Sequence, residues 1–259
     1  MILAIDVGNT NIVLGGIDEE TIHFTARLST DRFKTGDEYA VLMKNLLELN
    51  GHKASDMEGG IISTVVPALV TPLRSAVEKI TGKRCMVVGS GLKTGLNILI
   101  DNPAQLGSDL VVDAVAAIAE YPKPIMIFDL GTATTLSVVD RNGGYMGGMI
   151  MPGVILGMEA LASRTSQLPH IGLEPPKKLV GTNTIDCMKS GTLYGNAAML
   201  DGIVERVAEQ LGEEPTVIAT GGLAHVIVPN CRKKIICDDS LMLKGLWILY
   251  QKNQKNTEK

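Results

Sequence analysis

Short apolar runs alternate with amphipathic stretches along this chain. Residues 1–5 form an apolar run that stops at Asp6, and Val7-Gly8-Asn9-Thr10-Asn11 reads as a turn. Ile12-Val13-Leu14 opens a second strand and residues 21–28 alternate as a third, which predicts an antiparallel hairpin or meander. Helical spacing follows over 37–49, with Tyr39, Leu42, Met43, Leu46 and Leu47 on one face. Residues 60–66 predict a buried strand. Pro67 opens a helix predicted to reach Ile80, and 85–88 is a further short strand. From Ser108, the positions Leu110, Val111, Ala114, Val115, Ile118 and Ala119 form a helical stripe that ends before Pro122. Residues 125–128 are an apolar strand running into Asp129, with 136–140 as hairpin partner and Arg141-Asn142-Gly143-Gly144 as the turn. Residues 152–163 and 191–211 read as helices. Residues 217–220 read as a strand, followed by Gly221-Gly222 and a helix start; the polar stretch 250–259 reads as a frayed end. Strands alternating with helices predict the α/β class.

One internal similarity organises this pattern. Ile2-Leu3-Ala4-Ile5-Asp6-Val7-Gly8-Asn9-Thr10-Asn11 matches Ile125-Met126-Ile127-Phe128-Asp129-Leu130-Gly131-Thr132-Ala133-Thr134 in kind. In each, four apolar residues precede an Asp, one apolar residue separates it from a Gly, and small polar residues follow. The two copies lie close to half the chain length apart, as a duplicated domain predicts. Either turn alone is compatible with an Asx-type hydrogen bond. The pair points to phosphate chemistry: an Asp at the carboxyl end of a strand, a Gly that lets backbone N–H groups approach oxygens, and further polar donors. Like charges repel, so a carboxylate facing a polyphosphate implies an intervening cation such as Mg²⁺. Phosphate and catalytic motifs of other folds are missing: there is no G-x-x-x-x-G-K-[ST], no G-x-G-x-x-G after a strand and no G-x-S-x-G.

Composition narrows the class. The 259 residues are 45% hydrophobic and 20% charged, enough for a sizeable core in one large domain or two smaller ones. Net charge is −4 with no basic stripe interleaved with aromatics, which argues against nucleic-acid binding. The longest apolar stretches are shorter than a membrane span. Cys85, Cys187, Cys231 and Cys237 form no C-x-x-C pair and have no companion His pair, so they read as thiols rather than a zinc site. The chain opens directly on a strand without a basic leader and reads as cytoplasmic.

Three segments carry a resemblance. D-x-G-N-T at Asp6–Thr10, D-x-G-T-A-T-T at Asp129–Thr135 and A-T-G-G at Ala219–Gly222 resemble the phosphate-1, phosphate-2 and adenosine motifs of the acetate kinase, sugar kinase, Hsp70 and actin superfamily. Within it the chain is similar to type III pantothenate kinases: Asn102-Pro103 with Gly107-Ser108-Asp109, Gly147–Gly153, and Gly181–Thr184 with Ser190-Gly191 match further segments of that family. The resemblance implies duplicated ribonuclease H-like (actin-like ATPase) domains with mixed sheets, divided as 1–115 and 116–259. It implies ATP-dependent phosphorylation of pantothenate to 4′-phosphopantothenate, the first step of coenzyme A synthesis, by a cytoplasmic homodimer. Asp6, Val7, Gly8, Asn9, Thr10 and Asn11 would cradle the ATP phosphates, with Asp6 on the Mg²⁺ side, and Thr132 would contact ATP. Asp129 would hold a monovalent cation, K⁺ or NH₄⁺. Asp109 would act as the base, Gly107 and Ser108 would border the substrate, and Thr184 would reach it from a partner subunit. The residues themselves add that Asp109 opens a helix, whose N–H groups and dipole favour an anion.

Two departures stand out. Leu110 occupies the position of an Arg that would pair with the pantothenate carboxylate, and Ser137 follows the T-A-T-T run where many relatives carry an acid or another polar residue. Losing a charge-assisted hydrogen bond costs about 1.5–3 kcal/mol. Arg164 and Lys189 are candidate substitutes. The alternatives are a weak kinase, a related uncharged acceptor, or a nucleotide-binding regulatory or accessory protein of the same fold.

Overall fold

The computed structural model describes residues 1–19 and 21–254. The chain begins with β1 (Ile2–Val7), β2 (Asn11–Asp18), β3 (Thr21–Ser29), α1 (Gly36–Leu49), β4 (Gly60–Thr64), α2 (Val70–Thr81) and β5 (Cys85–Val87). There follow β6 (Asn97–Ile98), α3 (Ser108–Glu120), β7 (Ile125–Leu130), β8 (Ala133–Val139), β9 (Gly144–Pro152), α4 (Val154–Arg164) and α5 (Thr184–Leu211). It closes with β10 (Thr216–Thr220), the short α6 (Ala224–Ile227), β11 (Ile236–Cys237) and α7 (Leu241–Gln254). Two compact units result. The first takes Met1–Leu96, Asp101–Ala119 and the stretch from Ser240 onward; the second takes Asn97–Ile100 and Glu120–Asp239.

The first unit is built on a five-stranded sheet in the order β3-β2-β1-β4-β5. β1 pairs antiparallel with β2 and parallel with β4. Strand side chains alternate between faces, and both faces of β1 are apolar. Leu3, Ile5 and Val7 pack into a core that also holds Tyr39, Met43 and Leu47 of α1 and Leu73 and Val77 of α2. Ile2 and Ala4, with Ile61 of β4, pack against Val111, Val112 and Val115 of α3 and Leu243, Leu246 and Leu249 of α7. Thr35 caps α1 in a reciprocal capping box with Glu38, an arrangement whose removal costs about 1 kcal/mol.

The second unit repeats this plan. Its six-stranded sheet runs β11-β10-β7-β8-β9-β6. Taking β7 for β1, β8 for β2, β9 for β3, β10 for β4 and β11 for β5 reproduces the strand order and directions of the first sheet. β6 is an addition, pairing parallel with β9. Met126, Phe128 and Leu130 pack with Leu193, Ala197, Leu200 and Val204 of α5.

The duplicated, mixed-sheet α/β fold expected from the repeat is present. Several elements differ in extent. Pro67–Leu69 is a 3₁₀ turn, and α2 begins only at Val70. The Gly147–Gly153 segment lies mostly in β9, a strand its glycines had hidden, and α4 starts at Val154 rather than at Pro152. α5 extends back to Thr184, capped by Asn183. Residues 250–254 are not a frayed end: they complete α7, with Tyr250 buried. Residues 255–259 lie outside the described part. α7 itself has no forerunner in the sequence pattern. It returns to the first unit, whereas the resemblance had assigned all of 116–259 to the second domain.

Candidate functional site

In the first unit the site grows from the carboxyl end of β1. Asp6 follows Ile2 and Ala4 on the face that packs against α3, and it is the register partner of Ser63 on β4. The turn after it is closed by the Gly8 N–H donating to the Asn11 carbonyl oxygen at 2.9 Å. Asn9, Thr10 and Asn11 are exposed, with Asn9 Oδ1 accepting from Arg32 Nη2 (3.1 Å) and the Thr10 carbonyl oxygen from the Thr30 N–H (2.9 Å). Val7 is buried, and its carbonyl oxygen accepts from the Val65 N–H at 3.1 Å. Val7 therefore anchors the turn and faces no solvent.

The start of α3 is tied to the same strand ends. The Ser108 hydroxyl donates to the Thr64 carbonyl oxygen (3.0 Å) and accepts from the Thr64 N–H (3.1 Å) and the Ser63 hydroxyl (3.0 Å). A hydroxyl has one donor and two acceptor positions, so this set uses all of them. Ser108 was expected to border the substrate; its hydroxyl has no capacity left for one and instead fixes the base of α3. Ser63, fully buried, was not foreseen. The cue was a serine and a threonine at the end of a strand that otherwise reads as continuous apolar core.

Asp109 is the next residue. Its Oδ1 is buried without a hydrogen-bond partner. Burial pushes the carboxyl above the ordinary aspartate range, and backbone N–H groups of Leu110 and Asp109 itself offset part of that rise. No cation contributes to the balance. A β-carbon at Gly107 would overlap Asp109 Oδ1, so glycine is what leaves room for the carboxylate in this orientation. Leu110 lies beside it, 3.9 Å from that same point.

In the second unit the matching strand end is more crowded. Asp129 lies cross-strand from Thr135 and beside Thr220 of β10. Thr135 Oγ1 is buried and has no hydrogen-bond partner. Gly221 has φ +90°, and a β-carbon there would overlap Asp129 Oδ1 and stand 2.7 Å from the Leu130 nitrogen. A carboxylate beside an unsatisfied hydroxyl oxygen forms an all-oxygen donor set of the kind that suits a hard cation. Thr132 is exposed at the tip of the turn. Thr184, the first residue of α5, lines a cavity of about 960 Å³ together with Pro152, Met158, Met188 and Thr192. Ser137 is buried against the Tyr145 hydroxyl at 3.0 Å, a structural pairing. Lys189 is committed to Glu174, which removes it as a free substitute cation. Arg164 is in the last turn of α4 and makes no ion pair among the described residues.

Comparison with known proteins gives the family. Residues 2–206 match the type III pantothenate kinase family. A type III pantothenate kinase of Exiguobacterium sp. is 47% identical over 98% of this chain and 100% of its own length. That of Bacillus cytotoxicus is 46% identical over 98% of this chain and 97% of its own. Among solved structures, the activator of 2-hydroxyisocaproyl-CoA dehydratase from Clostridium difficile with bound ADPNP superposes with a TM-score of 0.53 at 16% identity, covering 98% of this chain and 97% of that one. At that identity the likeness speaks for the fold alone, an actin-like ATPase fold with duplicated halves. Full-length relatedness at nearly half identity carries more: this chain belongs to the type III pantothenate kinase family.

Proposed function

We propose that this protein transfers the γ-phosphoryl group of ATP to the 4′-hydroxyl of pantothenate, and that Asp109 is the catalytic base. The observation that carries the role of Asp109 is its buried, unpartnered Oδ1 at the start of α3. That start is bonded to β4 beside the strand bearing Asp6. The pantothenate hydroxyl gives its proton to the Asp109 carboxylate as its oxygen bonds to the γ-phosphorus. The bond from that phosphorus to the β,γ-bridging oxygen breaks, and ADP leaves. Such a transition state is loose, so positioning and charge stabilisation dominate and a carboxylate is a sufficient base. Burial that raises the proton affinity of Asp109 improves it further.

The exposed Asn9, Thr10 and Asn11 cradle the phosphates, and Thr132 also contacts ATP. When bound, Mg²⁺ neutralises the phosphates against the carboxylate of Asp6. Asp129 and Thr135 offer the oxygens that would hold K⁺ or NH₄⁺. A homodimer is supported by the apolar side chains left exposed on α4 and at the start of α5, among them Leu156, Leu161 and Ile185. In it, Thr184 reaches the partner's substrate. We place the enzyme in the cytoplasm, where ATP and K⁺ are plentiful. Purified protein with ATP, Mg²⁺, K⁺ and pantothenate is expected to form ADP and phosphopantothenate in equal amounts. No turnover at millimolar pantothenate overturns the reading.

A further inference from the structure

We propose that Arg32 is a further residue of the nucleotide site and contacts the polyphosphate of bound ATP. The proposal rests on the reading of the 8–11 turn as the phosphate cradle. It comes from the loop after β3, which is bonded to that turn at three points. The Thr30 N–H donates to the Thr10 carbonyl oxygen (2.9 Å), and the Thr30 hydroxyl donates to the Gly8 carbonyl oxygen (2.7 Å). Arg32 Nη2 donates to Asn9 Oδ1 at 3.1 Å.

The loop is held in this shape from behind. The Tyr39 ring is fully buried, and its hydroxyl donates to the Asp31 carbonyl oxygen (2.7 Å) and accepts from the Asp31 N–H (3.1 Å). The Asp31 carboxylate accepts from the Phe33 N–H (2.9 Å) and from Lys34 Nζ (2.7 Å). The loop thus carries two cations with different fates. Lys34 is neutralised by Asp31, which draws that carboxyl below its ordinary range. Arg32 has no carboxylate partner among the described residues; what it touches is the neutral side chain of a phosphate-turn residue.

The chemistry of that contact favours an anion beyond it. A guanidinium only donates, so the Asn9 atom facing it is the carbonyl oxygen, and the amide N–H₂ of Asn9 is turned away as a donor pair. The remaining N–H groups of Arg32 and the Asn9 amide therefore offer several donors and one full positive charge at the mouth of the turn. A planar, permanently charged fork of this kind suits phosphate oxygens.

Isothermal titration of wild type, Arg32→Gln and Arg32→Lys with ATP, inorganic tripolyphosphate and adenosine tests this. Arg32→Gln should weaken ATP and tripolyphosphate roughly 10- to 100-fold, leave adenosine unchanged, and lower kcat/KM for ATP in parallel. Arg32→Lys, which keeps the charge, should recover part of the loss. ATP and tripolyphosphate affinities in Arg32→Gln equal to wild type overturn the proposal, as does an equal loss for adenosine, which marks a purely structural role. A wild type that binds neither ATP nor tripolyphosphate also overturns it. A wild type that binds ATP but does not phosphorylate pantothenate defeats the acceptor assignment instead, and the titrations still decide Arg32.

Discussion

The turns after Asp6 and Asp129 share a sequence pattern and a place in matching sheets, yet their surroundings differ. After Asp6 the turn is open: Asn9, Thr10 and Asn11 are exposed, and a β-carbon at Gly8 would meet only the Asn11 carbonyl oxygen, at 3.2 Å. At Asp129 the crowding comes from Gly221, a residue far away in sequence on the loop after β10. The motif glycine there, Gly131, has ordinary clearance, with the nearest atom 3.4 Å away. An open turn can admit a bulky polyphosphate that must enter and leave. A crowded carboxylate with a buried hydroxyl opposite fits a small ion that stays. One local motif thus meets two surroundings, and these suit the two roles proposed for it.

The largest loss is expected at Asp109, the base proposed for the first unit. Asp109→Asn is expected to lower kcat by about 10²- to 10⁴-fold while ATP still binds. Preserved turnover would remove the chemistry from this unit. The same substitution has a signature in stability. The folded state binds the Asp109 proton more tightly than the unfolded chain does, so the cost of the buried charge weighs on the fold above the raised pKa and is relieved as pH falls through it. Asp109→Asn should therefore melt higher than wild type at neutral pH, with the gap closing on acidification. For the same reason the acid limb of wild-type kcat/KM should lie above the ordinary aspartate range.

Next in size is a contrast between glycines. Gly221→Ala combines positive φ with overlap onto Asp129 and should cost about 2–4 kcal/mol of stability together with activation by K⁺. Gly8→Ala and Gly131→Ala should each cost under about 1 kcal/mol, read from denaturant midpoints. Equal costs at the three positions would erase the distinction between an open and a crowded turn.

Leu110→Arg places a cation next to Asp109, where none now acts. It should lower KM for pantothenate roughly 10- to 150-fold and leave KM for ATP unchanged. An unchanged KM for pantothenate would mean that the acceptor carboxylate is held elsewhere. The smallest effect is expected of Ser108→Ala, which removes the tie from α3 to β4. It should cost about 1 kcal/mol of stability and reduce kcat a few-fold with little change in either KM. A Ser63→Ala variant should behave alike, because the two hydroxyls form one network.

Much of this was legible from residues alone. The apolar runs at 1–5 and 125–128 each end in an Asp followed by Gly and small polar residues, and each becomes a buried strand with an exposed or half-exposed turn. Period and polarity suffice for that, because both are local consequences of burying one strand and wetting its end. The helical stripe from Ser108 placed Asp109 in a first turn for the same reason. β9 and α7 were not legible: the first is rich in glycine, and the second has no sharp apolar period.

Folding in three dimensions sets which distant groups meet the two motifs. Ser63 and Thr64 together fill the hydrogen-bond capacity of the Ser108 hydroxyl, Thr30 and Arg32 bond to the 8–11 turn, and Gly221 crowds Asp129. The duplicated strand-turn units and the family they belong to follow from the residue order, since each unit is written in consecutive residues. The different surroundings of the two turns depend on contacts separated by twenty to nearly a hundred residues. Those contacts come from sheet register and helix packing, which no local pattern encodes.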